Sequence, residues 1–326
     1  MLGSLAIGSL AATLRASRGL AAKHDIAPVA AQLGLSSTNT IPVGDDCAAI
    51  PDGDGFLLLA IEGFINEFVA ADPWFAGWCG IMVNISDVAA MGGRPLAVVD
   101  AVWSAGENNA TPIVAGLRAA AQAFGVPIVG GHTNTRCDRG QLSVAILGRA
   151  NRLLTSFDAR PGDQLIAAID LRGRYHEPFA NWEAFTDAPP ARLHGDIEVL
   201  PTIAEAGLAR AAKDISQGGI IGTAIMLAEC SGVGAIVDVL RIPRPDGVSL
   251  ERWLQTFPSF GYLLAVAPPN VPTVLARFAA RGIAAAQIGS VTAGSRVEIT
   301  DGGTNEVVWD FSQRPLIGCR TAEAAA

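Results

Sequence analysis

Residues 77–93 read GWCGIMVNISDVAAMGG, and this stretch decides the fold. Nearly every position is apolar or small, which predicts a helix from about Gly77 to Met91 that is buried on most sides and ends at Gly92-Gly93. Asn84 and Asp87 are three residues apart and therefore share one face. An ionised carboxylate is costly to bury alone, so Asp87 requires a cation, a metal ion or several donors. A structural hydrogen bond to a neighbouring loop is the alternative.

Three further acidic residues precede this helix. Asp45 and Asp46 are adjacent in the turn after Gly44, and two carboxylates on a tight turn suit a hard cation such as Mg²⁺. Glu62 ends the apolar strand FLLLAIEGF, where the chain leaves the sheet. Each position also has a structural interpretation, since turns are rich in aspartate and strand-end glutamates are commonly solvated. We expect these acids to join Asp87 in one metal site.

Two glycine-rich segments are candidates for binding phosphate. Gly130-Gly131-His132-Thr133 ends the apolar strand at residues 126–129, and paired glycines let a phosphate approach the backbone. A glycine-rich turn with a surface histidine is the alternative there. Residues 214–219 (DISQGG) come just before a predicted helix, whose first N–H groups favour an anion. Neither segment is a Walker A loop, because the lysine and hydroxyl of that motif are absent.

The composition limits the classes of function. Half of the 326 residues are hydrophobic and only 17% are charged, which excludes disorder for most of the chain and allows two domains. The net charge of −8, without a Lys/Arg-rich stripe, disfavours nucleic acid as a partner. No apolar run reaches the roughly 18–20 residues needed to span a membrane. Five scattered cysteines predict reduced thiols in a cytoplasmic protein and no zinc site.

Predicted strands alternate with predicted helices, which indicates an α/β protein in two parts. Thr111-Pro112 is predicted to open one helix and Gly125 to close it, and another helix is predicted over about 197–212. The turn at residues 160–163 leads into a new strand, Gln164–Ile169, and we place the domain boundary there.

The region 171–196 is polar, aromatic and without a clear period. It predicts a long loop with some helix that covers a site, although a solvated loop is equally compatible with the pattern. Arginine and aromatic side chains bind anionic or ring-bearing ligands, so the candidate substrate contacts here are Arg174, His176 and Trp182.

Taken in order, these segments resemble the superfamily of aminoimidazole ribonucleotide synthetase, thiamine-monophosphate kinase and selenophosphate synthetase. Residues 43–50 (VGDDCAAI) resemble the kinase's Gly-Asp-Asp-Ala-Ala segment, and residues 83–97 (VNISDVAAMGGRPLA) resemble its Val-Asn-Leu-Ser-Asp segment. Residues 126–135 (VPIVGGHTNT) are similar to the family's Gly-Gly turn. Residues 212–237 resemble the segment that opens the helix of the second domain. The resemblance covers about residues 40–295.

The resemblance implies an N-terminal sheet that pairs with its dimer mate into a barrel, an α/β C-terminal domain, and ATP in the cleft at the dimer interface. It implies Asp46 (with Asp45) and Asp87 as metal ligands, and Glu62 stands where the family usually has aspartate. The expected nucleotide- or phosphate-binding residues are Asn84, Gly130, Gly131, His132, Thr133, Asp214, Ser216 and Gln217. The expected domains are an arm with a helix (1–36), an ATP- and metal-binding domain (37–158), a C-terminal domain (159–318) and a frayed tail (319–326).

Departures from the kinase pattern point away from thiamine phosphate as substrate. His132 replaces a metal-binding aspartate, and Gln217 replaces the second aspartate of the Asp-Ile-Ser-Asp-Gly-Leu motif. We therefore expect a cytoplasmic, homodimeric, Mg²⁺- and ATP-dependent enzyme of the kinase or synthetase type that acts on a small molecule of its own. Two alternatives stay open: thiamine-monophosphate kinase-like activity, and a nucleotide-binding sensor or scaffold without turnover.

Overall fold

The computed structural model describes residues 7–35 and 41–319. The chain forms two compact units, each assembled from separate stretches of sequence. Unit 1 contains the described residues up to Asp45, then Leu154–Ala184, and the described residues from Ala206 onward. Unit 2 contains Asp46–Leu153 and Phe185–Glu205. Unit 2 therefore covers most of the predicted 37–158 domain and also takes a segment from within the predicted 159–318 domain.

Unit 2 is a five-stranded sheet with helices packed on one face. Its elements are β1 (Ala48–Asp52), β2 (Gly55–Phe64), α4 (Asn66–Ala71), α5 (Pro73–Ala90), β3 (Arg94–Ala105), α6 (Glu107–Phe124), β4 (Ile128–Asn134), β5 (Arg136–Ala150), α7 (Pro190–Ile197) and α8 (Val199–Glu205). The strand order is β1-β2-β5-β3-β4, with β3 and β4 parallel and the other neighbours antiparallel. This open sheet places β4 at an edge.

Helix α5 forms the centre of unit 2, and all of its residues from Phe75 to Ala90 are buried. It begins four residues earlier than the sequence predicts, because Asp72 caps it by accepting a hydrogen bond from Phe75 N at 2.9 Å. Its contact with α6 is close, since a Cβ atom at Gly77 would lie 2.1 Å from the carbonyl oxygen of Ile113. The predicted buried helix is confirmed.

Helix α6 begins at Glu107, so the predicted start at Thr111-Pro112 is wrong. The Thr111 hydroxyl donates to the Glu107 carbonyl at 3.0 Å inside the helix instead of capping a new one. The predicted end is confirmed, because Gly125 adopts the left-handed conformation, with φ of 68°, after the last helical residue.

The face of the unit 2 sheet opposite these helices is exposed and apolar. Side chains alternate along a strand, so Leu58 and Ala60 of β2 are buried while Leu59 and Ile61 are 48% and 69% exposed. The exposed large apolar residues on these strands are Ile50, Leu59, Ile61, Leu96, Val99, Ile128, Val129 and Leu147.

Unit 1 contains a seven-stranded sheet and a small three-stranded sheet. Its helices are α1 (Ile7–Arg15), α2 (Arg18–Lys23), α3 (Ile26–Gln32), α9 (Gly219–Ser231), α10 (Leu250–Leu254) and α11 (Val271–Ala279). Its strands are β6 (Gln164–Ile169), β7 (Arg174–Tyr175), β8 (Asn181–Glu183), β9 (Ala211–Asp214), β10 (Gly234–Asp238), β11 (Phe257–Pro258), β12 (Gly261–Val266), β13 (Ala284–Thr292), β14 (Arg296–Thr300) and β15 (Asn305–Asp310). The large sheet has the order β15-β14-β10-β13-β6-β12-β9, and the small sheet has the order β11-β8-β7.

Two expectations for this half of the chain are corrected. The predicted helix over 197–212 ends at Glu205, and residues from Ala211 form β9, because they pair with β12. The region 171–196, predicted as a loop with some helix, contributes β7 and β8 to the small sheet.

The N-terminal helices are part of unit 1. Helix α1 packs on β15 and β14, and the guanidinium of Arg15 donates to the carbonyl of Val307 at 2.6 Å. Helix α2 follows, with Leu20 buried against Gly222 of α9. Residues 1–6 and 36 of the predicted N-terminal arm, and residues 37–40 of the predicted ATP- and metal-binding domain, lie outside the described residues. Within the described ranges, no helix combines the length and apolar character needed to cross a membrane.

A buried carboxylate holds the last described residues of unit 1. Glu229, fully buried in α9, accepts three backbone hydrogen bonds, from Leu316 N at 2.8 Å, Ile317 N at 3.2 Å and Gly318 N at 2.9 Å. The chain then places Cys319, 8% exposed, beside Gly44. Cys319 is therefore packed, which corrects its assignment to a frayed tail; residues 320–326 lie outside the described part.

Candidate metal centre

Two carboxylates of unit 2 lie close together. Asp87 is on α5 and is 5% exposed, and Asp46 is in the turn before β1. A carboxylate oxygen of Asp46 lies within 4.8 Å of one of Asp87. Two acidic oxygens at this spacing can bind a single hard cation. The structure thus brings together the two residues that the sequence favoured most as metal ligands.

Asn84 lies one turn before Asp87 on the same helix and is fully buried. Its amide nitrogen donates to the carbonyl of Gly80 at 2.8 Å and to that of Val144 in β5 at 3.1 Å. Its Oδ1 atom has no hydrogen-bond partner among the described residues. Because buried polar atoms nearly always have partners, this oxygen is suited to a bound ligand or cation.

Glu62 and Asp100 occupy one row across the sheet beneath α5. In the strand pairing, Val144 of β5 lies opposite Glu62 of β2 on one side and Asp100 of β3 on the other. Asp100 in turn pairs with Gly131 of β4. Glu62 does not belong to the group of close carboxylate oxygens that contains Asp46 and Asp87, so its role as a metal ligand stays a prediction.

Asp100 is a residue that sequence reasoning missed. It lies in an apolar strand, on the same side as the buried Val98 and Val102, and burial raises the pKa of its carboxyl group. A perturbed acid in such a position is a candidate for function. The signal in the sequence was a single aspartate within the apolar run AVVDAVW.

The segment from Gly130 to Thr133 lies in the exposed edge strand β4 and does not form a turn. A Cβ atom at Gly131 would lie 2.7 Å from the carbonyl oxygen of Asp100, so glycine permits the close strand approach here. The ring of His132 lies 5.8 Å from that of Trp103. An open edge with accessible backbone N–H groups leaves the phosphate-binding expectation as a prediction.

Asp45 is engaged within unit 1, and its expected role as a metal ligand beside Asp46 stays a prediction. One of its carboxylate oxygens accepts from the Ser156 backbone N–H at 2.7 Å, and the other accepts from the Ser156 hydroxyl at 2.5 Å. The ammonium group of Lys213 lies 3.8 Å from Asp45 Oδ1. Each oxygen of the Asp45 carboxylate therefore has a partner within unit 1.

The loop 214–219 joins β9 to α9 in unit 1. Asp214 is 4% exposed, and its carbonyl accepts from the Thr223 hydroxyl at 3.3 Å. The Ser216 hydroxyl is buried and has no hydrogen-bond partner among the described residues. Helix α9 begins at Gly219 without a side-chain cap, so its first N–H groups are suited to an anion. A Cβ atom at Gly19 of α2 would lie 2.1 Å from the Gln217 carbonyl oxygen, so α2 packs directly on this loop.

The small sheet of unit 1 presents part of the predicted substrate contacts. The guanidinium of Arg174 is 66% exposed and lies 3.6 Å from the carboxylate of Glu183, which is 7% exposed. The Nδ1 atom of His176, a side chain 25% exposed, lies 3.0 Å from the same carboxylate. Glu183, which sequence reasoning missed, therefore orients both side chains.

Trp182 is a correction to the predicted substrate contacts. Its side chain is buried, its indole N–H donates to the carbonyl of Asp170 at 3.0 Å, and its ring meets the rings of Tyr175 and Trp253 edge to face. The indole thus packs the small sheet against α10, and its surface is already used.

The residues of unit 2 fit a divalent metal ion. Carboxylate and amide oxygens are the ligands that Mg²⁺ prefers, and Asp46 and Asp87 supply two close carboxylates. Asn84 adds a buried amide oxygen without a partner among the described residues. This donor set contains neither sulfur nor imidazole, which disfavours zinc and copper.

Comparison with known protein families identifies the family of this chain. Residues 44–150 match the N-terminal domain of AIR synthase related protein, and residues 179–302 match its C-terminal domain. An uncharacterised protein of Synechocystis is 47% identical over 311 residues, which is 94% of this chain and 96% of that protein. The chain belongs to the AIR synthase related family.

Among its relatives in this family is the thiamine-monophosphate kinase of Halobacterium salinarum, 28% identical over 77% of this chain and 88% of that protein. The solved structure of T. maritima PurL complexed with ADP matches with a TM-score of 0.74 at 19% identity. The match covers 92% of this chain and 52% of PurL. This structural likeness concerns the fold, which is confirmed as mixed α/β with two domains of the AIR synthase type.

Proposed function

We propose that this AIR synthase related protein is a Mg²⁺-dependent enzyme that uses ATP to phosphorylate or activate a small molecule. The observation that carries the proposal is the pair of carboxylates, Asp87 on the buried helix α5 and Asp46 in the turn before β1, with oxygens within 4.8 Å of each other. A relative of similar length is a thiamine-monophosphate kinase, which supports transfer of a phosphoryl group as the reaction class.

In this proposal Asp46 and Asp87 hold Mg²⁺, with Glu62 as a further candidate ligand. When bound, the ion neutralises the charge that develops on the phosphoryl oxygens. The buried amide of Asn84 positions Asp87's face of α5 against β5 through its hydrogen bond to Val144. In unit 2 the proposed phosphate contacts are Gly130, Gly131, His132 and Thr133. In unit 1 the proposed phosphate-binding segment contains Asp214, Ser216 and Gln217, next to the uncapped start of α9.

We propose Arg174 and His176 as substrate contacts on the small sheet. The exposed guanidinium of Arg174 suits a carboxylate or phosphate group of the substrate. Glu183 fixes the ring of His176 through Nδ1, which orients the other ring nitrogen as an acid–base group. This geometry favours an anionic substrate over a neutral one.

Homodimerisation is also part of the proposal. The unit 2 sheet has an exposed apolar face that includes Ile61 and Val129. Single exposed apolar residues are common on protein surfaces, but several of them on one sheet face form a patch that suits a second copy of the chain. In the family this face closes a barrel across the dimer, as the resemblance implies. We propose a cytoplasmic location from the five scattered cysteines, which suit a reducing compartment.

Isothermal titration of Mg-ATP against the wild type and Asp87→Asn tests the proposal. We expect the wild type to bind Mg-ATP and the variant to lose binding by at least about tenfold, because it lacks a charged ligand oxygen. Asp54→Asn is the matched control, since Asp54 is 97% exposed at the β1–β2 turn, and it should bind as the wild type does. Equal binding by Asp87→Asn and the wild type would contradict the assignment of Asp87 as a metal ligand.

A phosphate- and ADP-release assay then separates enzyme from sensor. The screen should include thiamine monophosphate and a panel of anionic metabolites, because the substrate class is defined here by charge. Turnover that depends on one metabolite supports the enzyme. Tight Mg-ATP binding with no ADP release under the whole panel would favour a nucleotide-binding sensor or scaffold.

A further inference from the structure

The adjacent carboxylates of Asp45 and Asp46 have different partners. Asp46 approaches Asp87, whereas the side chain of Asp45 is 1% exposed and is bound by Ser156. Ser156 donates with both its backbone N–H and its hydroxyl, and its own carbonyl accepts from the Ser231 hydroxyl at 2.7 Å. The serine is therefore fixed, and so is the carboxylate that it holds.

The charge facing Asp45 is an internal ammonium group. Lys213 Nζ lies 3.8 Å from Asp45 Oδ1, and the Lys213 side chain is 5% exposed. The sequence contains two lysines, Lys23 and Lys213, so one of the two is buried in β9. Lysine is almost never fully buried unless it is paired with a counter-charge.

Burial makes each of these charges depend on the other. A buried carboxylate requires donors and a cation, and a buried ammonium requires an anion, because each loses its hydration in the interior. Asp45 receives two hydrogen bonds from Ser156 and faces the positive charge of Lys213. Its charge is thus neutralised by the protein itself.

We propose that Lys213 is the fixed counter-charge of Asp45, so that the Asp45-Asp46 pair offers one carboxylate to metal instead of two. If both carboxylates of such a turn were free, they could share a metal ion. Here the ammonium group of Lys213 occupies the cation position beside Asp45. The conclusion that one carboxylate of this turn binds metal rests on the proposed function, which places a metal ion at Asp46 and Asp87. The Asp45–Lys213 ion pair itself does not depend on it.

A double-mutant cycle tests the ion pair. Urea midpoints are measured for the wild type, Asp45→Asn, Lys213→Met and the double variant, with Lys23→Met as the control lysine. Each single variant should lower the midpoint, since it removes the opposite charge that the other buried group faces. The double variant should lower it less than the two singles added together. Lys23→Met should leave the midpoint near that of the wild type. Additive effects of the two singles overturn the proposal.

Manganese binding tests the consequence for the metal. Mn²⁺ alone is the probe, measured by electron paramagnetic resonance and by titration calorimetry on the wild type, Asp46→Asn and the double variant Asp45→Asn/Lys213→Met. The double variant removes both charges yet keeps an oxygen at position 45 for Ser156, so it should bind Mn²⁺ with the stoichiometry of the wild type and a Kd within about threefold. Asp46→Asn should weaken binding by at least about tenfold.

Loss of one Mn²⁺ equivalent in the double variant overturns the proposal, because it identifies Asp45 as a ligand. A wild type that binds no Mn²⁺ overturns the proposed function and the metal count together. The double-mutant cycle still decides the ion pair in that case, so the two failures are distinguishable. Lys213→Met with normal stability but no Mg-ATP binding also overturns the proposal, since Lys213 would then be a phosphate ligand.

Discussion

Replacing Asp87 with asparagine should stabilise the metal-free protein, which is the opposite of the usual effect of a substitution in a buried helix. The carboxylate oxygens of Asp46 and Asp87 lie within 4.8 Å of each other. Two unit charges at that distance repel by about 3 kcal/mol at an effective dielectric constant near 20. Asparagine keeps the size of the side chain and removes this repulsion.

Magnesium should reverse the ranking of the two proteins. A ligand at one hundred times its Kd adds about 2.7 kcal/mol to the folded state that binds it. The wild type should gain that stability on moving from EDTA to saturating Mg²⁺, and Asp87→Asn should gain little. Differential scanning fluorimetry in the two buffers, followed by urea unfolding for the free energies, measures both terms.

Asp54→Asn serves as the control in the same buffers. Asp54 is 97% exposed and pairs with Arg149 at 3.0 Å, so its loss should cost at most about 1 kcal/mol, equally with and without Mg²⁺. The reasoning is refuted if Asp87→Asn is less stable than the wild type in EDTA and keeps the full gain with Mg²⁺. That result would mean that Asp87 holds the fold and not a cation.

Three other predictions follow from the burial pattern. Glu229→Gln should lower the free energy of unfolding by about 3–5 kcal/mol, because it weakens charge-assisted bonds to three N–H groups and buries an unpaired donor. In the same urea titrations the control Glu251→Gln, at an exposed residue, should change the free energy of unfolding by no more than about 0.5 kcal/mol. Equal losses in the two variants would contradict this prediction. Burial raises the pKa of Asp100, so the stability that this residue contributes is complete below the ordinary pKa of 3.8 and is lost as pH rises through the folded-state pKa. The urea midpoint of Asp100→Asn should lack that decline with pH. Parallel plots of midpoint against pH for the variant and the wild type would contradict this prediction. Ile61→Asp should convert a dimer into a monomer in light scattering, whereas the control Leu240→Asp should not, at a residue 62% exposed compared with 69% for Ile61. An unchanged mass for Ile61→Asp would exclude this face as the interface.

The sequence predicts best where the signal is local. The apolar run from Gly77 to Met91 is a buried helix because its periodicity and its glycine stop lie within the segment itself. The hairpin between β1 and β2 also has a local signal, because residues 52–55 read Asp-Gly-Asp-Gly and Asp52 pairs with Gly55. The prediction that Asp87 is buried on this helix is confirmed for the same reason.

Contacts between distant residues decided what the sequence could not. Asp45 and Asp46 look equivalent in the turn, and only the approach of Ser156 and Lys213 separates their roles. Segment 185–205 belongs to unit 2, where α7 and α8 pack on α5 and Arg94 forms ion pairs with Glu198 and Glu205.

Asp100 shows a second limit of prediction from the sequence, which concerns strand register. One acidic residue in an apolar strand is visible in the sequence, but its alignment with Glu62 depends on the register of three strands. Register is fixed by tertiary packing and turn geometry, and single-sequence patterns do not contain it.

The docking of α1 on β15 has a consequence for the order in which the chain is made. Residues 46–153 leave the ribosome as one continuous stretch and contain all the strands of the unit 2 sheet, so that sheet can form early. Helix α1 is synthesised earlier still, yet its binding surface includes residues 305–310, which are made after all of unit 2. Until then Leu10 and Leu14, both buried in the finished protein, face solvent. A chain that terminates before β15 therefore exposes the apolar side of α1, and exposed apolar surface of this kind is recognised by chaperones and proteases.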